Sequence, residues 1–478
     1  MKFSFDSVAH LYKNVYYNMP QSLKTVLGTL YGSIPIQKRY GSLYPQYLEK
    51  FQEFELMDEK YQEEYLYHKT LETLLFAQEN IPFYQKRFAQ HGVSVKDFKS
   101  LDDLKKFPTM TKDDIKNHVE EMYSENVEKA VAYFSGGSTS SPTKFYHPLF
   151  TSRAKHKAYS VHTLSKCGYK LRDRALLLKG REVVDLKKDI YWDYEPVDNF
   201  LNITSSYVMS DKFPLIYQKS KKFKPKFLFG YPSAVMDFMF ASKKFGFEPL
   251  KINGIILTSE NVSENDILEL KKFYGDVSVF VDYGHTERVV GAWKVDFSPY
   301  NFLGVYGISR IVDGEIVGTS LDNMVMPYIN YKTGDEVDGE IVYFEDTDIA
   351  KSAQFIKGRV QDYLVTYDHR LIPLTSLYVG HHLSHKAAHN LQYRQTQPGK
   401  VKVLIQKGSL EVAKSEILKS FKAMVKDGID FEIIFVDKIE KTHRGKRVVC
   451  QQDLNIKAIK QAQTKFADKI SEKTSQIV

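Results

Sequence analysis

A few short stretches of the sequence hold side chains suited to handling a phosphate-bearing guest. FSGGSTSSPTK (134–144) combines glycines, which let backbone N–H groups approach an anion, with serine and threonine hydroxyls that add donors. It lacks the Gly-Lys-Ser/Thr ending of a Walker A loop, and taken alone it reads better as a plain flexible turn. YGHTE (283–287) sets Thr286 and Glu287 just past a strand end, a hard-oxygen pair that suits Mg²⁺ beside a nucleotide phosphate. YKTGDEVDG (331–339) offers Asp335 in a tight turn, where one carboxylate can accept from both ribose hydroxyls. KGRVQD (357–362) supplies Arg359 and Asp362, and KTHRGKR (441–447) presents Lys446 on a glycine-backed loop.

The elements that must position these residues follow from hydrophobic period and punctuation. Residues 1–130 read as mainly helical, with Thr111 an N-cap ahead of two aspartates. From residue 131 the pattern becomes strand, loop, helix. KFLFG is a strand followed by a helix entered through Pro232, and INGIILTSE is a β-branched strand. VSENDILELKKFYG is a helix and DVSVFVDYG an alternating strand. Strand–helix–strand with short links predicts an α/β fold with parallel pairing, and ligands of such sheets sit beyond the strand C-termini. The loops FSGGSTSSPTK, GYPS (230–233), TSEN (258–261) and YGHTE all fall there. Residues 131–357 form the core of a large domain. Residues 358–478 form a smaller α+β unit around the strands KVKVLIQ and FEIIFVDKI, with the boundary near Lys357–Arg359.

In this order and at these separations the motifs resemble the adenylate-forming superfamily of acyl-CoA synthetases and adenylation domains. More narrowly, they resemble the phenylacetate–coenzyme A ligase family in its CapK-like, capsule-polysaccharide branch. The resemblance covers nearly the whole chain, since NIPFYQKRFAQHGV, KFPTMTKDDI and GYPSAV also match family landmarks. It implies a large α/β domain of mixed parallel sheets with flanking helices, plus a small mobile α+β lid. It further implies that Ser135, Gly137, Ser138 and Thr139 hold the outer phosphates of ATP, and that Ser259 and Glu260 lie near the adenine. Tyr283 would flank the purine beside Gly284, with Thr286 and Glu287 at the Mg²⁺. Asp335 and Arg359 would contact the ribose, Asp362 would be the hinge, and Lys446 the catalytic lysine. The acid pocket is expected from Tyr231, Ser233 and His285.

The implied chemistry is attack of a carboxylate on the α-phosphate of ATP, release of pyrophosphate, and transfer of the acyl group after the lid swings. Two positions depart from the family pattern. Ser140 replaces a glycine of the phosphate loop, and Asp368 stands where users of coenzyme A keep a glycine for pantetheine. The acceptor is therefore read as an amino or hydroxyl group of a saccharide precursor, with coenzyme A as the alternative. A degenerate, non-catalytic binding relative is the third reading.

Composition narrows the rest. A formal charge of +8, from 67 basic against 59 acidic residues, suits acidic small ligands, and no arginine-rich or zinc-finger spacing points to nucleic acid. Two widely separated cysteines exclude a disulfide framework and fit a cytoplasmic protein. LKTVLGTLYGSIPI is too short and too interrupted to span a bilayer. It is expected against the protein's own core, with peripheral membrane contact as the alternative. His381, His385 and His389 would share one face if their segment is helical, a solvated or interdomain face rather than a metal site, and Cys167 near His162 is expected to be structural.

Overall fold

The structure is a computed structural model. It describes residues 16, 19–124, 130–134, 143–179, 188–204, 207–208, 210–359, 363–369, 371–373, 388–407, 413–425, 428–439, 448, 450–456 and 459. The chain divides into two compact units, Met1–Val262 with Asp266–Lys357, and Gly358–Val478 with Ser263–Asn265.

Helices dominate the start of the first unit: α1 (Gln21–Ser33), α2 (Ile36–Tyr40), α3 (Leu43–Leu56), α4 (Glu59–Asn80), α5 (Pro82–Gln90) and α6 (Lys112–His118). A capping box starts α6, with the Thr111 hydroxyl accepting from the Asp114 N–H and the Asp114 carboxylate accepting from the Thr111 N–H. Two strands, β1 (Ala130–Phe134) and β2 (Lys144–Pro148), pair antiparallel on either side of the Ser135–Pro142 stretch. Helix α7 (Leu149–Leu164) follows directly.

The core of the unit is a twelve-stranded mixed sheet. Its strands are β3 (Ala175–Leu178), β4 (Trp192–Glu195), β5 (Phe200–Ile203), β6 (Phe227–Gly230), β7 (Gly254–Thr258), β8 (Ser278–Gly284), β9 (Gly291–Val295), β10 (Tyr300–Phe302), β11 (Gly307–Val312), β12 (Glu315–Ser320), β13 (Tyr331–Tyr343) and β14 (Ala350–Arg359). The order β8-β7-β6-β3-β5 is a parallel block, and the flanking pairs are antiparallel where their register is defined. Helices α8 (Phe213–Phe223), α9 (Pro232–Lys244) and α10 (Glu264–Tyr274) lie between the parallel strands in sequence. Covered on both faces, β7 has no exposed residue. Ile255, Ile256 and Leu257 are fully buried, each contributing about 1.5–3 kcal/mol by leaving water.

The second unit holds a hairpin, β15 (Tyr363–Val365) and β16 (Leu371–Pro373), and a four-stranded sheet. That sheet consists of β17 (Ala388–Gln397), β18 (Lys400–Lys407), β19 (Asp430–Val436) and β20 (Cys450–Gln452), in the order β19-β18-β17-β20. Helix α11 (Lys414–Val425) packs Ile417 and Phe421 against Leu391, Tyr393 and Val403. This is the α/β fold with a smaller α+β unit that the periodicity indicates.

Two expectations change. Helix α1 does not lay its apolar residues on the core: Leu23, Val26, Leu27 and Leu30 are exposed, while Lys24, Gly28 and Gly32 are buried. Lys24 pairs with Asp193 of β4 at 3.1 Å, and a Cβ at Gly28 would come within 2.4 Å of Pro196. The glycine stripe, not the leucines, sets which face touches the protein. His389 lies in strand β17 rather than on a helix, and His381 and His385 fall outside the described residues. No helix among the described residues is long and apolar enough to cross a membrane.

Candidate active site

The parallel strands bring three of the four expected loops, GYPS, TSEN and YGHTE, to one edge of the sheet; FSGGSTSSPTK instead joins the strands of the separate antiparallel pair β1–β2, and its residues 135–142 lie outside the described residues. β7 and β8 pair from Gly254 with Ser278 to Thr258 with Asp282, so TSEN and YGHTE leave side by side. β6 pairs with β7 through Gly230 and Leu257, which puts GYPS next to TSEN. Gly230 is required there, because a Cβ would meet the Leu178 carbonyl oxygen at 2.3 Å.

Glu260 reaches from its loop to the first turn of α9, accepting from the Ser233 N–H at 3.0 Å and the Ser233 hydroxyl at 3.1 Å. A carboxylate at a helix N-terminus satisfies open N–H groups and complements the helix dipole. Tyr231, 9% exposed, precedes that turn. Ser259 sits in the left-handed region at φ 69°, a conformation that costs a non-glycine residue energy and is common at functional sites.

From the end of β8, the Tyr283 hydroxyl donates to Asp335 Oδ2 at 2.7 Å. Asp335 is held in its own turn by the Thr333 hydroxyl, which accepts from its N–H at 3.1 Å, while Gly334 takes φ 81°. Beyond Gly284 the His285 ring lies between those of Tyr283 and Tyr331, with centroids 6.4 and 6.3 Å away. Glu287 is buried and its Oε1 accepts from the Tyr331 hydroxyl at 3.3 Å. The Thr286 carbonyl accepts from His147 Nε2 at 3.0 Å. Burial, reinforced by the nearby Arg288 charge, pushes His147 down to about 3, so the ring is neutral and Nε2 carries the proton.

Arg288 was not singled out by sequence reasoning, yet it ties three elements together. Its guanidinium donates to the carbonyl and hydroxyl of Ser152 in α7, at 3.1 and 2.7 Å. It also lies over the Tyr133 ring at 5.4 Å, on the strand leading into the Ser135–Pro142 loop. Its own backbone is left-handed at φ 55°. Glu287, Arg288 and His147 line a cavity whose other wall includes Lys155, Tyr306 and Asp322. Lys155 pairs with Asp322 at 2.9 Å and donates to the Tyr306 carbonyl at 2.7 Å. Burial alone would raise the Asp322 carboxyl, but Lys155 and Lys69 outweigh it and hold it below its ordinary range. His147, Arg288 and the Lys155–Asp322 pair lie far apart in sequence and left no local motif to find.

Other expected residues are not brought into view. Ser135, Gly137, Ser138, Thr139, Asp362 and Lys446 lie outside the described residues, and Arg359 is described only as the last residue of β14. Cys167 is buried and its thiol is pushed up to about 11 by burial, while His162 instead meets Glu55 at 3.1 Å. That cysteine is structural.

The architecture is thus a mixed sheet with a parallel block, loops gathered at one strand edge, and a smaller α+β unit. A crystal structure of 2-hydroxyisobutyryl-CoA ligase in the postadenylation state with 2-HIB-AMP shares it, with a TM-score of 0.62 at 13% identity over 84% of this chain and 92% of that one. Protein CapK of Staphylococcus aureus is 22% identical over 459 residues, 91% of this chain and 97% of that protein. Phenylacetate-coenzyme A ligase of Escherichia coli (strain K12) is 40% identical over 73 residues, 15% of this chain and 17% of that protein. No protein-family model matches the chain. In sequence the chain is similar to CapK and, over a short stretch, to phenylacetate-coenzyme A ligase, and in fold to an acyl-CoA ligase, which supports the resemblance that its motifs carry.

Proposed function

We propose that this protein activates a small carboxylic acid with ATP, forming an acyl-adenylate and releasing pyrophosphate, and then passes the acyl group to an acceptor. The observation that carries this reading is the Tyr283–Asp335 hydrogen bond, with Glu287 facing a cavity at the same strand end. It joins a purine-stacking phenol to a ribose-accepting carboxylate, two nucleotide functions from loops far apart in sequence.

In this reading Tyr283 and Gly284 lie along the purine, Ser259 and Glu260 border the adenine, and Asp335 with Arg359 accepts and steadies the ribose. Ser135, Gly137, Ser138 and Thr139 hold the outer phosphates. The acid lies toward Tyr231, Ser233 and His285, with its carboxylate directed at the α-phosphate. As that oxygen bonds to phosphorus, the bond to the β-phosphate oxygen breaks and charge moves to pyrophosphate. Lys446 stabilises that charge, and Asp362 is the pivot of the small unit between the two half-reactions.

A magnesium ion arriving with the nucleotide suits the residues present. Glu287 offers one cavity-facing carboxylate beside Thr286, and Mg²⁺ binds through one or two carboxylates plus phosphates rather than in an all-protein cage. Among the described residues no group of three or more His, Cys, Asp or Glu side chains forms such a cage. Bound there, the ion would neutralise charge on the phosphates.

For the acceptor, the loop after the pivot favours an amino or hydroxyl group, as in polysaccharide biosynthesis. Asp368 is exposed, and the residue in the glycine-like left-handed conformation is its neighbour His369, at φ 60°. Both carry side chains where pantetheine would need room. The second reading, an acid–CoA ligase, is supported by the phenylacetate-coenzyme A ligase and 2-hydroxyisobutyryl-CoA ligase similarities. Free, buried Cys167 and Cys450 agree with a cytoplasmic setting.

Lys446→Ala tests the core of the proposal. It should abolish carboxylate-dependent ATP–pyrophosphate exchange while leaving the thermal unfolding midpoint unchanged, and normal exchange in the folded variant would sink the assignment. AMP release that depends on added coenzyme A would decide for the second acceptor.

A further inference from the structure

The face that helix α1 shows to solvent is unlike that of an ordinary surface helix. Leu23, Val26, Leu27 and Leu30 recur at i, i+3, i+4 and i+7, the spacing that usually faces a core, yet they are between 41% and 64% exposed. The opposite face is pinned to the protein. Lys24 pairs with Asp193 at 3.1 Å, both side chains largely buried, and Gln21 Nε2 donates to the Tyr194 carbonyl at 2.7 Å. Gly32 lies against Arg172, where a Cβ would come within 2.7 Å of the guanidinium. Turning the helix to bury its leucines would break that desolvated ion pair and force larger side chains into the space that Gly28 and Gly32 leave.

Helix α8 supplies a second observation at the same strand. β4 is the edge of the twelve-stranded sheet, and α1 meets it through Asp193 and Tyr194. α8 meets it too: Lys219 lies over the Trp192 ring at 5.6 Å, and the Phe223 ring meets Tyr194 edge-on with centroids 6.0 Å apart. Beyond Lys219 the chain exposes Lys221, Lys222 and Lys224, and among the described residues none of them has an acidic partner within ion-pair distance. Leu215, also exposed, stands about two turns before Lys222 on the same face of α8. Lysines at a helix C-terminus complement its dipole, which accounts for the cations but not for the aliphatic stripe on the neighbouring element.

We infer that α1, with the lysines of α8 beside it, docks this protein on the surface of an anionic lipid bilayer. An interfacial helix sinks an apolar face about 5–10 Å into the headgroup boundary, draws on nearby cations for anionic headgroups, and need not span. The aliphatic stripe and the lysine ammonium groups, both packed on β4, supply the two requirements together. A second copy of the chain is the poorer occupant, since a two-fold contact through α1 would bring the same cationic surface of each copy together. A stripe this short gives a reversible attachment that salt weakens. The inference does not rest on the adenylation reading, and neither helix carries a residue assigned to it.

The experiment is flotation of the full chain with vesicles of phosphatidylcholine alone and of phosphatidylcholine mixed with phosphatidylglycerol, over a range of salt. The wild type should bind the anionic vesicles about 100-fold more tightly, since each of the three lysines near such a surface contributes about fivefold, and the excess should shrink as salt rises. Val26→Ser with Leu30→Ser should weaken that binding about tenfold. Lys221→Gln, Lys222→Gln and Lys224→Gln together should remove the preference for anionic vesicles. Both variants should keep the wild-type unfolding midpoint, because the substituted side chains are exposed. Leu30→Trp should shift its emission to the blue on anionic vesicles, as a ring entering the apolar layer does. A wild type that stays with neither vesicle overturns the inference, as does anionic binding that the Val26 and Leu30 substitutions leave unchanged. Self-association by sedimentation that those substitutions abolish, without vesicle binding, assigns the stripe to a second copy and overturns it too. Should the serine variant fail to fold, the Leu30→Trp emission decides, and an unshifted spectrum overturns the inference. Absence of ATP–pyrophosphate exchange with any acid overturns the adenylation reading and leaves this inference standing.

Discussion

Replacing Tyr283 by phenylalanine isolates the bond that carries the proposed function. The ring that would lie along the purine stays, and only the hydroxyl donating to Asp335 at 2.7 Å is lost. A hydrogen bond to a charged acceptor contributes about 1.5–3 kcal/mol net. Both residues are half-buried, so water replaces part of the interaction in the variant and the lower end, about 1.5 kcal/mol, applies. At about 1.4 kcal/mol per factor of ten, ATP should bind about tenfold more weakly. The loss should appear in KM for ATP, with KM for the acid unchanged, because in the proposed arrangement the lost bond orients only groups that serve the nucleotide. A second readout is specific to the role of Asp335. If that carboxylate accepts from the ribose, the preference for ATP over its deoxyribose analogue should shrink by a similar factor once its orienting partner is gone. Exchange kinetics with both nucleotides measure this directly. An ATP KM within about twofold of the wild type, with undiminished sugar discrimination, would refute the reasoning.

The remaining predictions concern the ground beneath the site. His147 is pushed down to about 3 from an ordinary 6.5, so the unfolded chain takes up a proton there before the folded one does. Its contribution to stability is complete above pH 6.5 and is lost as pH falls towards 3. Between about pH 7 and about pH 5 the wild type should lose about 2 kcal/mol more than His147→Gln in urea unfolding, and parallel pH profiles would exclude a neutral buried ring. Lys155→Met removes one partner of a pair whose side chains are 9% and 12% exposed, leaving Asp322, among the described residues, the more distant Lys69 at 3.6 Å as its ion-pair partner. It should cost about 3 kcal/mol in a denaturant titration, and adding Asp322→Asn should recover part of that loss.

What could be read from the sequence was what repeats or punctuates locally. The alternation in DVSVFVDYG, the β-branched run of INGIILTSE and the proline entry at 232 gave β8, β7 and α9, and with them the edge where YGHTE, TSEN and GYPS meet. The capping box at Thr111 could be read for the same reason, since both partners lie within one turn. Helix α1 misled because apolarity was weighed and side-chain volume was not. Gly28 and Gly32 admit the neighbouring backbone, Lys24 finds Asp193, and the leucines are left outside. His147, Arg288 and Asp322 act through partners brought together by folding alone, and no local pattern encodes such pairs.

Asp282 is a different case, because its signal was present. In VSVFVD the interior rungs of a parallel strand are apolar, since both faces are covered, and an aspartate there must find donors or remain uncharged. A charged residue at the C-terminal rung of a buried strand is therefore a conflict between local rule and fold. Such conflicts persist where function compensates for them. The same test applied to its neighbours finds Thr258 bonded to it and Ser259 in a left-handed conformation, two further departures within one turn of chain. All three departures converge at the C-terminal end of the β7–β8 pair, where the loops TSEN and YGHTE leave the sheet side by side.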